Sequence, residues 1–287
     1  MFLPLLEYLA DSYGPLRIFN YFTFRAILAT LTSLTFILFF GKTFISFIAK
    51  QKYGQIIREE GPKSHFEKKG TPTMGGLLIL FSIVFSCLCW GDLTNKYLVI
   101  SILVTFFFGL IGLIDDYLKL KYLNSKGLKA RTRLGLEIII AFLASIFIFF
   151  NVIDPQETTL YLPFFKDFAL QMGFWFIFLS ALVIVSTANA VNLTDGLDGL
   201  AIMPSVMVAA GMGIIAYISG NIILSEYLNV PYLFYSTEIV IFCGAIVGAG
   251  IGFLWFNTYP AQIFMGDVGS LSLGAALGII AVSIRQE

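Results

Sequence analysis

The chain has 287 residues, 58% of them hydrophobic and 13% charged, with a mean hydropathy of +0.87; that is more apolar side chain than a soluble domain of this size can hide, so its solvent is largely lipid. Its 18 Lys and Arg balance 18 Asp and Glu, which removes any global charge argument for a nucleic-acid partner, and none is expected. Cys87, Cys89 and Cys243 fall in apolar windows and read as small buried hydrophobes, not as a disulfide or metal framework.

Residues 1–20 carry Glu7, Asp11 and two prolines with no basic stretch ahead of an apolar core, which reads as an interfacial segment and not as a cleaved signal. Apolar windows follow near 22–48, 74–91, 97–115, 134–152, 169–188, 200–219, 237–256 and 267–284. Their lengths suit helices crossing roughly 30 Å of hydrocarbon. Phe, Leu and Ile on every side suit a solvent that leaves no polar face to satisfy. The predicted fold class is all-α, a polytopic helical membrane protein with eight transmembrane helices in a single domain over residues 1–287.

Charge sets the orientation, because basic residues near span ends are retained in the cytoplasm. Lys42, Lys50, Lys52, Arg58, Lys63, Lys68 and Lys69 flank the loop after the first span, and Lys119, Lys121, Lys126, Lys129, Arg131 and Arg133 fill the loop after the third; together they are 13 of the 18 basic residues. That side is expected to be cytoplasmic and the N-terminus outside. By alternation residues 189–199 and 257–266 are also inside, while the outer loops near 153–168 and 220–236 are rich in aromatics and Pro, as interface anchors are. No sustained repeat suggests the paired halves of a transporter.

Five acids stand at the expected cytoplasmic span ends. Asp115 and Asp116 close the third span, Asp195 and Asp198 lie between the fifth and sixth, and Asp267 opens the eighth. An ion path would place such groups at mid-span; acids at one set of ends, beside Gly-rich loops, favour chemistry at the surface. Asp115 and Asp116 should point about 100° apart on a helix and so serve different roles instead of acting as twin ligands. Asp195 and Asp198 share a face if NLTDGLDGLA is helical, with Gly196 and Gly199 permitting close approach. Asp267 is expected at a helix start, where free amides can receive phosphate oxygens. Hard carboxylates without a His or Cys cluster suit Mg²⁺ bound with a pyrophosphate. Lys68, Lys69 and Lys119 are placed to neutralise phosphate. GPKSHFEKKGTPTMGG, residues 61–76, reads as a ligand loop with turn residues, hydroxyls and a paired glycine, and His65 alone cannot make a metal site.

GPKSHFEKKGTPTMGG, GLIDDYLK, NAVNLTDGLDGLA and FMGDVGSL, in this order, resemble the phospho-N-acetylmuramoyl-pentapeptide transferase (translocase I) family, within the polyprenyl-phosphate N-acetylhexosamine-1-phosphate transferases. The aspartate motifs resemble the wider superfamily, and HFEKKGTPTMGG the muramoyl-pentapeptide branch. The resemblance implies transfer of phospho-N-acetylmuramoyl-pentapeptide from UDP-N-acetylmuramoyl-pentapeptide to undecaprenyl phosphate, giving lipid I and UMP, with Mg²⁺ as cofactor. It implies a bacterial inner-membrane enzyme that faces the cytoplasm, works among membrane lipid and is allowed to form a homodimer. It carries over Asp267 as metal ligand, Asp115 and Asp116 with Asp267 as catalytic residues, and Lys68, Thr73, Lys119, Asn192, Asp195, Asp198 and Phe264 as substrate contacts, Phe264 against uracil. A sister transferase of UDP-N-acetylglucosamine is the nearest alternative, and an ion-coupled transporter a remote one. The resemblance also implies ten spans and a His-rich loop before the last, whereas the sequence ends at SIRQE after its eighth expected span, so the C-terminal part of the pattern is expected to be missing.

Overall fold

A computed structural model describes residues 13–50, 71–122, 127–152, 158–161 and 169–287. The chain is an all-α, multi-pass membrane protein: eight apolar helices occupy the eight predicted windows, and seven of them are long and apolar enough to cross a membrane. A short 3-10 segment, Gly14–Asn20, leads into α1 (Phe22–Lys50). There follow α2 (Gly76–Trp90), α3 (Lys96–Tyr122), α4 (Ala130–Phe150), α5 (Trp175–Thr194), α6 (Ile202–Ser219), the short α7 (Ile222–Leu228), α8 (Ser236–Asn257) and α9 (Gly266–Ser283).

Several boundaries differ from the sequence reading, and three of the differences have a plain local reason. Helix α3 continues seven residues past the predicted end at 115, because charged side chains end a hydropathy window without ending backbone hydrogen bonding. The fifth span begins at Trp175 instead of 169, since residues 169–171 form strand β2 (Ala169–Gln171), antiparallel to β1 (Thr159–Tyr161). Helix α2, at 15 residues, is shorter than a full crossing, which takes about 20. Its start is fixed by docking onto α9: the Gly75 and Gly76 amides donate to Phe264 O (2.9 Å) and Met265 O (2.8 Å), and Phe264 N donates to Pro72 O (2.8 Å).

Small residues set the closest packing. Gly244, Gly248 and Gly252 recur every fourth position on α8; a Cβ at the first two would strike the α1 backbone at Ala26 and Thr30, and one at Gly252 would press on Ile37 and Leu34 O. In lipid, where apolar surface gains little by leaving its solvent, such close approach is a main source of helix association. Helix α9 is the centre of the bundle, packed by α2, α3, α5, α6 and α8, and every residue from Val268 to Ser283 is buried. Cys87, Cys89 and Cys243 are free and buried, as expected.

At one end of the bundle, a buried ion pair joins the starts of α1 and α8. Arg25 reaches Glu238 in two places, at 2.6 and 3.1 Å, and also donates to Trp90 O (3.2 Å), while Asp92 N donates to Glu238 (2.8 Å). Nearby, Tyr97 and Tyr235 stack at 3.7 Å. The opposite end gathers the C-terminal ends of α3, α5 and α8 with the starts of α2, α4, α6 and α9, as a strictly alternating topology requires.

Candidate functional site

That second end holds most of the residues singled out in the sequence. Asp115 and Asp116 lie on α3 one turn before Lys119, and both are buried. Asp267 sits in the first turn of α9, where the helix dipole favours a negative charge. Gly266 ahead of it takes φ +71, a conformation that L side chains rarely adopt, and a Cβ there would crowd Asp116 Oδ2 and Thr73 Oγ1. This turn brings the buried Thr73 and Asp116 together with the partly exposed Asp267.

Asp115, Asp116 and Asp267 each offer a carboxylate oxygen within 4.8 Å of the others, a group that could hold a metal ion. The sequence reading held that Asp115 and Asp116 would not be twin ligands from one face; each nevertheless offers an oxygen to this one group. Their side chains leave α3 in different directions, yet α9 packs against that helix closely enough for Asp267 to meet both. The paths differ: Asp115 Oδ1 accepts from Leu128 N (2.7 Å), whereas Asp116 Oδ2 accepts from Val268 N (3.3 Å). One amide at the start of α9 is thus occupied by a carboxylate and is not free for phosphate.

Lys119 bridges the group. Its Nζ lies 2.6 Å from Asp115 Oδ2, 2.5 Å from Asp267 Oδ2 and 3.9 Å from Asp116 Oδ1. Three carboxylates this close repel one another strongly at low dielectric, so one ammonium offsets part of the charge and a divalent cation would offset the rest. Asp115 Oδ2 is buried with the Lys119 ammonium 2.6 Å away, so a cation there would share this oxygen with that charge. Only hard oxygen donors are present in the group, which fits Mg²⁺ or Mn²⁺ better than a softer metal.

Asn192, at the end of α5, donates to Asp267 Oδ1 (2.8 Å) and Ser270 Oγ (2.8 Å). Asp195 follows at the C-cap of α5, and its carboxyl is pushed up to about 7, first by burial and then by the negative charge of Asp267. Asp195 and Asp198 do not share a helix face: α5 ends at Thr194, and Gly199, at φ +71, completes the break. Asp198 instead accepts from Ala261 N (3.2 Å) in the turn leading to α9. Asn257 ties the same turn down, accepting from Gly199 N (3.0 Å) and donating to Ile263 O (2.9 Å). Phe264 is half-buried and holds the 71–76 segment through its backbone. Lys68, Lys69 and His65 lie outside the described residues.

Four participants escaped the sequence reading: Arg133, Glu137, Asn189 and Ser270. Arg133 on α4 places NH1 3.6 Å from Asp267 Oδ2 and donates from NH2 to Asn192 Oδ1 (3.0 Å). The signal was an Arg and a Glu four residues apart at the start of an otherwise apolar window.

The glycosyl transferase family 4 model matches residues 98–285, more than half of the chain, and so includes every residue of the carboxylate group. The chain belongs to glycosyl transferase family 4. Phospho-N-acetylmuramoyl-pentapeptide-transferase signature 1 also matches, at residues 68–80. That stretch contains Thr73 and the Gly75–Gly76 step that pairs with the start of α9. Together the two matches identify a polyprenyl-phosphate sugar-phosphate transferase, a family 4 enzyme whose substrates are a nucleotide sugar and a membrane lipid.

Proposed function

We propose that this family 4 protein transfers phospho-N-acetylmuramoyl-pentapeptide from UDP-N-acetylmuramoyl-pentapeptide to undecaprenyl phosphate, forming lipid I and UMP, at the cytoplasmic face of a bacterial inner membrane. The observation that carries this reading is the docking of the signature segment, through Gly75 and Gly76, directly onto the turn that delivers Asp267 to Asp115 and Asp116. The basic residues around the loops at this end support the inward orientation.

In this mechanism an oxygen of undecaprenyl phosphate attacks the β-phosphorus of the UDP-sugar. The new P–O bond forms as the bond to the bridging oxygen breaks, and that electron pair leaves on UMP. Mg²⁺ held by Asp267 with Asp115 and Asp116 would supply charge neutralisation for the pyrophosphate. Lys119 contributes a second positive charge beside the reacting phosphates. Asn192 fixes the Asp267 carboxylate, and Asp115 or Asp116 orients the lipid phosphate. Lys68, Thr73, Asp195, Asp198 and Phe264 bind the nucleotide sugar, with Phe264 against the uracil.

The test is a radiolabel assay in membranes with undecaprenyl phosphate, run with UDP-N-acetylmuramoyl-pentapeptide and separately with UDP-N-acetylglucosamine, each with and without Mg²⁺. Lipid-linked product from the first donor alone, and only with Mg²⁺, is expected. Product from the second donor alone overturns the substrate assignment.

A further inference from the structure

Glu137 is fully buried on the second turn of α4. A carboxylate in that position is costly unless its lone pairs are filled. Both oxygens are occupied: Oε1 accepts from Arg133 Nε (3.1 Å) and Oε2 from Asn189 Nδ2 (2.6 Å). The same guanidinium donates from NH2 to Asn189 Oδ1 (3.2 Å) and Asn192 Oδ1 (3.0 Å), and Asn192 in turn donates to Asp267. Arg133 therefore lies between two carboxylates. It is hydrogen-bonded to Glu137, while its nearest approach to Asp267 is 3.6 Å, beyond good hydrogen-bond distance.

We infer that Glu137 is a positioning residue that withholds Arg133 from Asp267 and so keeps that carboxylate available to a divalent cation. The inference rests on the cation-binding role proposed for Asp267. Without Glu137, the guanidinium keeps its charge, loses its anchor and closes on Asp267, where it competes with the cation. The geometry leaves less than 1 Å for that movement to cover before an ordinary charge-assisted bond forms, about 2.8 Å in length. Asn192 would lose its fixed amide orientation at the same time, because Arg133 NH2 is what holds its Oδ1.

The test is a Mn²⁺ titration of the purified protein followed by electron paramagnetic resonance, with no substrate present. Wild type is expected to bind one Mn²⁺ that Asp267→Asn abolishes; absence of that binding overturns the cation role of Asp267, and this inference with it. Glu137→Met is expected to weaken Mn²⁺ binding about tenfold, the scale of a single close interaction between two charges. Adding Arg133→Met is expected to restore the affinity to within about threefold of wild type, since it removes the competing charge. A residue that merely supports the fold would not be rescued by a second lesion. Wild-type affinity in Glu137→Met, or no recovery in the double variant, overturns the inference while leaving the cation site standing. Should Glu137→Met not fold, Glu137→Gln leaves the guanidinium unbalanced while keeping an acceptor for Nε; a weaker affinity is expected, and an unchanged one overturns the inference.

Discussion

Asn192 and Asp267, 75 residues apart in the chain, are joined by a 2.8 Å hydrogen bond from the Asn192 amide to Oδ1, leaving Oδ2 turned toward Lys119. This bond fixes the rotation of the carboxylate on which the proposed chemistry centres. Asp267→Asn keeps the shape and loses the charge. Turnover in membranes is expected to fall about a thousandfold, with the melting temperature nearly unchanged; activity within tenfold of wild type would contradict the assignment.

Lys119 occupies space between the carboxylates that a cation would share. Lys119→Met is expected to bind Mn²⁺ several-fold more tightly, because a competing ammonium is gone, yet to turn over about a hundredfold more slowly. Measuring both quantities on one preparation separates loss of a charge from loss of the site. A fall in both would assign Lys119 to holding the site together instead.

Gly76 has the Gly269 backbone where a Cβ would stand. Two backbones cannot be displaced as a flexible side chain can, so Gly76→Ala should cost about 3 kcal/mol of stability. Because Gly76 N is bonded to Met265 O, the displacement should also reach Asp267 and lower turnover. Thermal unfolding in detergent and the transferase assay give the two readings, and a variant as stable as wild type would refute the close contact.

The Arg25–Glu238 pair offers a control at the opposite end of the bundle. Arg25→Met leaves Glu238 buried without its ion-pair partner and should destabilise by about 3–5 kcal/mol. The double variant Arg25→Met, Glu238→Met should recover most of that loss. Specific activity of folded protein should be near wild type in both, since the pair is remote from the carboxylate group.

Asp195 predicts a pH dependence with a definite sign. Its carboxyl is raised from 3.8 to about 7, so between those values the native chain holds a proton that the unfolded chain has released. Stability from this group is complete below the lower value and is lost as pH rises through the upper one. In the presence of a chelator, Asp195→Asn should match wild type near pH 4 and exceed it by about 1–3 kcal/mol at pH 8. Equal melting temperatures at both pH values would show that the carboxyl is not perturbed.

Much of the architecture could be read in advance because lipid imposes a simple rule, an apolar run for each crossing. The convergence of Asp115, Asp116, Asn192 and Asp267 at one end followed from alternation alone. What could not be read were contacts made across helices. Neighbouring aspartates on one helix diverge, and only the packing of α9 against α3 shows that Asp267 can meet both. The expected helical face through Asp195 and Asp198 failed because α5 ends at Thr194, just before the first of them, and periodicity does not report where a helix stops. Glu137 was overlooked because a single acid in an apolar window looks like an exception until Arg133 and Asn189 are seen to surround it.

Helix α9 has no stripe turned toward lipid, although its composition is that of a membrane span. Its surroundings are other side chains, so volume and not oil solubility governs what each position accepts. Gly269, Gly274 and Gly278 lie flush against neighbouring backbone, and no face is left to absorb a larger residue. Mutational tolerance along this helix should therefore lack the helical rhythm that lipid-facing spans display, and bulky apolar replacements should be rejected as firmly as polar ones.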